Sequence, residues 1–305
     1  MKLTIIIPCY NAQNSIGKLL SSLAKQQVIG VEIIIVNDGS TDNTENIVNA
    51  FLTCNVQMPI CIYNTKNSGA AAAREYGLIK AKGEYISYCD SDDDVASNFI
   101  NAILVSSEIK PDMIYYSSNI VKEIELNKKT HIKKVFFEKD FIYKNGEELL
   151  NYLLTNGYYT AAVWSYVFRR ELAISSGAKF TARPVHEDHM FTIKLLLNST
   201  LIVTLKEVLY LQNLRAGSLT NSTKSPHYIS ERYNAYLEVK NILKNRLKKK
   251  CIYLYSKWSV HGFLKLCKSS PKSFIIALIK QKLFVYFWQD RAFLLPFIFF
   301  AIFKK

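Results

Sequence analysis

Leu3-Thr4-Ile5-Ile6-Ile7-Pro8-Cys9-Tyr10-Asn11 opens the chain with an unbroken, mostly β-branched run that stops at a proline and a polar turn. A strand with one wet face alternates apolar and polar residues. This one does not, so both its faces are buried, as in a parallel sheet covered by helices. The neighbouring segments agree. Ser15 to Gln27 carries Ile16, Leu19, Leu20 and Leu23 at helical spacing, and Val31 to Val36 is a second buried strand. Thr41-Asp42 can cap a helix bearing Ile47, Val48 and Phe51, and Ile60 to Tyr63 is a short strand. The alanine-rich stretch Gly69 to Lys82 is a helix ended by Gly83. Glu84 to Cys89 is a strand, Ser97 can cap a helix through Ser107, and Met113 to Ser117 is again a strand. Strands alternating with helices define an α/β fold, a mostly parallel sheet flanked by helices.

Asn119 to Lys144 is polar and alternating, as in a small antiparallel excursion. Glu147 to Leu154, Trp164 to Ile174 and Asp188 to Leu197 are expected as helices, and Leu201 to Leu211 is β-rich. The 305 residues are 49% hydrophobic and 21% charged, which excludes global disorder and suffices for a large core.

The net charge of +14 is unevenly placed. Lys224 to Lys305 hold 17 Lys/Arg against 3 Asp/Glu, whereas the first 223 residues hold 22 of each. A uniformly basic nucleic-acid binder would not divide this way. The expected organisation is a neutral catalytic domain over 1–223 and a basic, aromatic-rich helical region over 224–305. The six cysteines form no CxxC pair, which argues against zinc, and Cys9 and Cys89 sit in apolar runs as buried thiols. Leu3 to Ile7 is too short for a signal peptide.

Ligands of an open α/β sheet bind beyond the carboxyl ends of its strands. Three such ends are polar: Pro8 to Asn11, Asn37 to Asp42, and Asp90-Ser91-Asp92-Asp93-Asp94. Four carboxylates in five residues repel one another unless a cation lies among them. Asp90 and Asp92 can offer oxygens to one hard cation, Mn²⁺ or Mg²⁺, while Asp94 can simply cap the next helix. Asp38 reads two ways, as a turn residue before Gly39 or as an acceptor for a base or ribose. Tyr10 can stack on a base. No GxGxxG follows the first strand and no GxxxxGK[ST] occurs, so a nucleotide is not held by a Gly-rich phosphate loop.

Ile5 to Asn11, Glu32 to Asp42, Asn67-Ser68-Gly69 with Ala73-Arg74, and Asp90-Ser91-Asp92-Asp93 occur in that order. Together they resemble the family 2 glycosyltransferases, inverting enzymes with the Rossmann-like GT-A fold. The resemblance is clear over about the first hundred residues and patchier to about Thr220. It implies that Pro8 to Tyr10 and Asp38 line a nucleoside pocket and that Asn67, Gly69 and Arg74 lie beside the donor. It implies further that Asp90-Ser91-Asp92 is the DxD motif holding the cation and donor diphosphate. Phe180 followed by Glu187-Asp188-His189-Met190-Phe191 resembles the family's acidic signature, which implies that the catalytic pair Glu187 and Asp188 reaches the acceptor, with Asp188 as general base. The reading of these residues by themselves is a helix N-terminus with favourable charges. Trp164 to Arg170 matches a further family segment but has Tyr166 where a Lys is usual. Arg215 to Thr220 resembles the segment near the diphosphate.

The expected enzyme is a hexosyl- or N-acetylhexosaminyl-transferase acting on a nucleotide-sugar donor and a glycan or lipid-linked acceptor of surface polysaccharide synthesis. Tyr228 to Leu247 reads as an amphipathic helix, and Phe274 to Trp288 and Phe293 to Phe303 are strongly apolar between basic flanks. Ala292 to Phe303 falls short of the ~20 residues a membrane-spanning helix needs. The region is therefore expected to lie peripherally on the anionic, cytoplasmic face of the cell membrane, the alternatives being packing on the catalytic domain or in a homodimer. Nucleic acid is not an expected partner. A nucleic-acid binder with a basic tail and a nucleotide-sugar nucleotidyltransferase are the competing functions.

Overall fold

The computed structural model describes residues 1–26, 29–54, 59–122, 135–214 and 225–268. The first half alternates β1 (Leu3–Cys9), α1 (Ile16–Ala24), β2 (Val31–Asp38), α2 (Thr44–Cys54), β3 (Ile60–Thr65), α3 (Ala70–Lys80) and β4 (Tyr85–Tyr88). Then come β5 (Asp94–Val95), α4 (Phe99–Ser107), β6 (Met113–Lys122), β7 (Phe141–Tyr143) and α5 (Gly146–Asn156). The chain continues through β8 (Tyr166–Arg169), α6 (Arg170–Ser176), α7 (Asp188–Asn198), β9 (Ile202–Leu214), α8 (Pro226–Arg246) and α9 (Lys249–Lys268).

One sheet runs in the order β3-β2-β1-β4-β8-β6-β9-β5, with β7 on β9. The four N-terminal strands are parallel, Leu3 standing opposite Val31 on one side and Tyr85 on the other. The remainder is mixed: β8 is antiparallel to β4 and β6, whereas β9 is parallel to β6. The opening isoleucines explain the layering. Ile5 and Ile7 enter the core under α1 and α4, and Ile6 enters the opposite core under α3. Each is fully buried and contributes roughly 1.5–3 kcal/mol.

Two expectations change. Trp164 to Ile174 is not one helix: Tyr166–Arg169 is strand β8, wedged between β4 and β6, and the helix begins only at Arg170. Trp164 itself belongs to the core, stacked on Tyr210 at 4.8 Å. The helix expected from Ser97 starts at Phe99 with Asn98 at its cap.

Beyond residue 224 the apolar side of each helix turns inward. Tyr233, Tyr236, Val239 and Leu243 of α8 and Cys251, Tyr255 and Phe263 of α9 join the same core as Tyr159, Phe168 and Leu196. Lys244, Arg246, Lys248, Lys249, Lys250, Lys257 and Lys265 are exposed. Among the described residues no helix is long and apolar enough to cross a membrane. The apolar segments from Phe274 to Phe303 and the Arg215 to Thr220 segment lie outside the described residues.

Candidate active site

The carboxyl ends of β1, β2 and β4 open into a cavity of about 470 Å³ lined by Pro8, Tyr10, Asp38, Arg74, Asp90 and Asp92 among others. Tyr10 is 51% exposed, so its ring is free to stack on a planar ligand. Asp38 is buried at the end of β2 and accepts the backbone N–H groups of Ser68 and Gly69, both at 2.8 Å. It thereby folds the Asn67-Ser68-Gly69 turn onto the sheet. Gly39, at φ +70°, is required there, since a Cβ would come within 2.8 Å of the Asn67 nitrogen. Gly69, at φ +89°, precedes α3 and lines a second cavity of about 630 Å³, whereas Asn67 lines neither.

The acidic turn is pinned by β9. The Tyr210 hydroxyl donates to Asp93 at 2.9 Å and accepts the Asp90 N–H at 3.0 Å. The Asn213 N–H donates to the other Asp93 oxygen at 2.8 Å, and its side-chain amide donates to the Asp92 carbonyl at 3.0 Å. Burial, then Asp90 and Asp92, push the Asp93 carboxyl up to about 8. Asp93 is thus a structural anchor, and Asp94 pairs with Lys18 at 3.3 Å. Asp90 and Asp92 are left at the cavity wall. Gln212 and Asn213 line it too, and sequence reasoning missed them; the polar pair closing the β-rich run was the available signal.

Arg74 joins the two acidic motifs. Only 9% exposed, it donates to Asp90 at 3.0 Å and to Glu187 at 2.7 Å, with its guanidinium 5.8 Å from the Phe180 ring centroid. Burial opposes its charge, but Asp90, then Glu187 and Asp188, hold it firmly cationic. Glu187 borders the second cavity; Asp188 borders neither cavity and starts α7 behind the ion pair. Burial, then repulsion from Glu187, push the Asp188 carboxyl up to about 7 against the pull of Arg74. The buried thiols of Cys9 and Cys89 are pushed up by desolvation and are no nucleophiles.

A sheet of this order, with acidic residues at strand ends and a second acidic pair across the cleft, has the GT-A architecture. The chain belongs to glycosyl transferase family 2, whose model matches residues 4–174. It is 30% identical over 227 residues to glycosyltransferase GlyA of Streptococcus pneumoniae serotype 4, covering 72% of this chain and 31% of that protein. The chain thus spans about a third of that relative's length. It is 35% identical over 120 residues to the Escherichia coli UDP-Glc:alpha-D-GlcNAc-diphosphoundecaprenol beta-1,3-glucosyltransferase WfaP, covering 39% and 47% of the two chains. Among solved structures, S. aureus TarS 1-349 in complex with UDP-GlcNAc superposes with a TM-score of 0.65 at 21% identity, covering 90% of this chain and 83% of that one.

Proposed function

We propose that this chain is an inverting glycosyltransferase moving a hexosyl or N-acetylhexosaminyl group from a nucleotide-sugar donor to a glycan or lipid-linked acceptor. The observation that carries this reading is the gathering of Pro8, Tyr10, Asp38, Asp90 and Asp92 at one cavity, where Arg74 joins Asp90 to Glu187, the neighbour of Asp188. Tyr10 and Pro8 flank the base, and Asp38 shapes that pocket while keeping lone pairs for the nucleoside. A lipid-linked acceptor is supported by the name of the WfaP relative, which specifies a diphosphate-linked lipid sugar.

Among the described residues no group of three or more His, Cys, Asp or Glu gathers as a metal site. Mg²⁺ sites of this kind use one or two carboxylates plus substrate phosphates, and Asp90 with Asp92 supplies that set. The buried Asn213 Oδ1 on the same wall has no partner among the described residues. Asp90 and Asp92 would therefore hold Mn²⁺ or Mg²⁺, which when bound neutralises the departing diphosphate. Asp188 takes the proton of the acceptor hydroxyl as its oxygen bonds to the anomeric carbon and the bond to the nucleoside diphosphate breaks. Arg74 holds Glu187 in place beside that base.

Donor hydrolysis screened across UDP-, GDP- and dTDP-sugars with Mn²⁺ tests the reading. One class should be hydrolysed; loss of none of them would overturn it. The basic face of α8 and α9 supports a peripheral position on the anionic inner face of the membrane. A chain ending at Lys272 should bind anionic vesicles less than the full chain, and its binding should weaken with salt. Equal binding to neutral vesicles would refute the electrostatic part.

A further inference from the structure

The helix that follows the charge break reaches the base. Tyr228 of α8 meets His186 edge-on at 4.6 Å, just before α7. Arg232, one turn further, lies over the indole of Trp258 on α9 at 5.0 Å. Arg183, on the rim of the second cavity, fastens this part of α8 through Glu231 and Glu238. Gly262 makes the space for Arg232, because a Cβ there would overlap Nη2.

Arg74 and Arg183 each have carboxylate partners; Arg232 has none among the described residues. Its Nε is buried without a hydrogen-bond partner, as are Oη of Tyr159, Oη of Tyr255 and Nδ1 of His189. The rings of Tyr159, Tyr255 and His189 all contact Trp258, at 4.7, 5.7 and 5.8 Å. Tyr159 and Tyr255 are fully buried and His189 is 5% exposed. Buried polar atoms without partners are costly, and here they belong to residues that surround one indole. Burial keeps the two phenols protonated, so with the guanidinium they form a set of donors. Burial also lowers the Arg232 pKa, the sign of a cation short of counter-charge, although Tyr255, Tyr228 and Asp188 oppose that. Asp188 lies close enough to act electrostatically on Arg232, Tyr159 and Tyr255.

We infer that Tyr228 and Arg232 of α8 form the acceptor wall, and that Arg232 holds a phosphate group of the acceptor near the hydroxyl deprotonated by Asp188. This rests on the transferase reading above and narrows its acceptor. Unpartnered polar atoms on residues of α7, α8, α9 and the Tyr159 segment, grouped about Trp258, suit a tetrahedral phosphate better than a planar carboxylate. The C-terminal region then serves the chemistry as well as any membrane.

The test uses matched short-chain alkyl glycosides with the donor that the chain hydrolyses. They are neutral, or joined through a phosphodiester, a diphosphate or a carboxylate-bearing linker. The quantity read is the ratio of kcat/KM for charged over neutral acceptor within each variant, so partial misfolding cancels. The full chain should prefer a phosphate-bearing acceptor by about 10–100-fold, mostly through KM, and Arg232→Gln should bring that ratio below about threefold. Gly262→Ala should do the same, since it crowds the guanidinium while favouring the helix, and it decides the matter if Arg232→Gln does not fold. The phosphodiester and diphosphate arms separate a phosphate-linked polymer from a lipid diphosphate. No preference in the full chain, a preference surviving in the folded variants, or stronger use of the carboxylate acceptor overturns the inference. Donor hydrolysis without transfer to any glycoside overturns it and leaves the donor site standing. Absence of donor hydrolysis defeats both readings.

Discussion

As the proposed base, Asp188 would work only as a carboxylate, and its carboxyl is pushed up to about 7. Transfer at saturating donor should therefore rise roughly tenfold per pH unit below about 7 and level off above it. A flat rate from about pH 5.5 to 8 would remove Asp188 as base. Asp188→Asn should cut transfer by ~10²–10⁴-fold while calorimetry shows donor binding retained. Glu187→Gln removes a like charge beside Asp188 and should move the inflection to lower pH; an unmoved profile contradicts the coupling. Asp92→Asn should abolish the response of donor binding to Mn²⁺, and an unchanged titration would clear Asp92 of that role. Asp38, Asp90 and Asp92 were legible because a carboxylate directly after a buried strand stands out. Gln212 and Asn213 were not: they are neutral amides from a strand some 120 residues later, brought to the cavity only by sheet order, where Asn213 bonds to Asp92 and Asp93.

At the level of elements, α5 and α7 pack so closely at Gly146 that a Cβ there would overlap the Leu196 carbonyl. Gly146→Ala should destabilise the chain by about 1–3 kcal/mol, seen as a lower melting temperature. An unchanged melt would mean the helices part freely. The parallel half of the sheet could be read from apolar runs alone, since no other setting buries both faces of β1 and β2. Strand β8 could not. Tyr166-Val167-Phe168 is as apolar as one face of a buried helix, and a short run of that kind is ambiguous by periodicity. What settles it is the vacant place between β4 and β6, a fact of the tertiary fold.

For the molecule as a whole, the charge break at Lys224 marks a change of surface, while the core runs straight through it. Tyr233, Tyr236 and Tyr255 are fully buried against residues of the first 223. A chain ending at Lys224 should aggregate or lose its cooperative melt, whereas one ending at Lys268 should keep it. Calorimetry on both decides this, and a cooperative melt of the shorter chain would make α8 and α9 dispensable. The sequence showed that these helices are amphipathic, but an apolar stripe does not name what it will cover.

The late position of β9 in the chain has a consequence for biosynthesis. Both groups that anchor Asp93 belong to β9, the hydroxyl of Tyr210 and the backbone N–H of Asn213. At about 5–20 residues per second, a ribosome needs roughly 6–24 s to pass from Asp93 to Asn213. Throughout that interval the nascent polypeptide displays an acidic turn whose fasteners have not been made. Pro8 to Asn11, Asn37 to Asp42 and Asp90 to Asp92 are all translated within the first hundred residues, yet the pocket becomes whole only when β9 emerges.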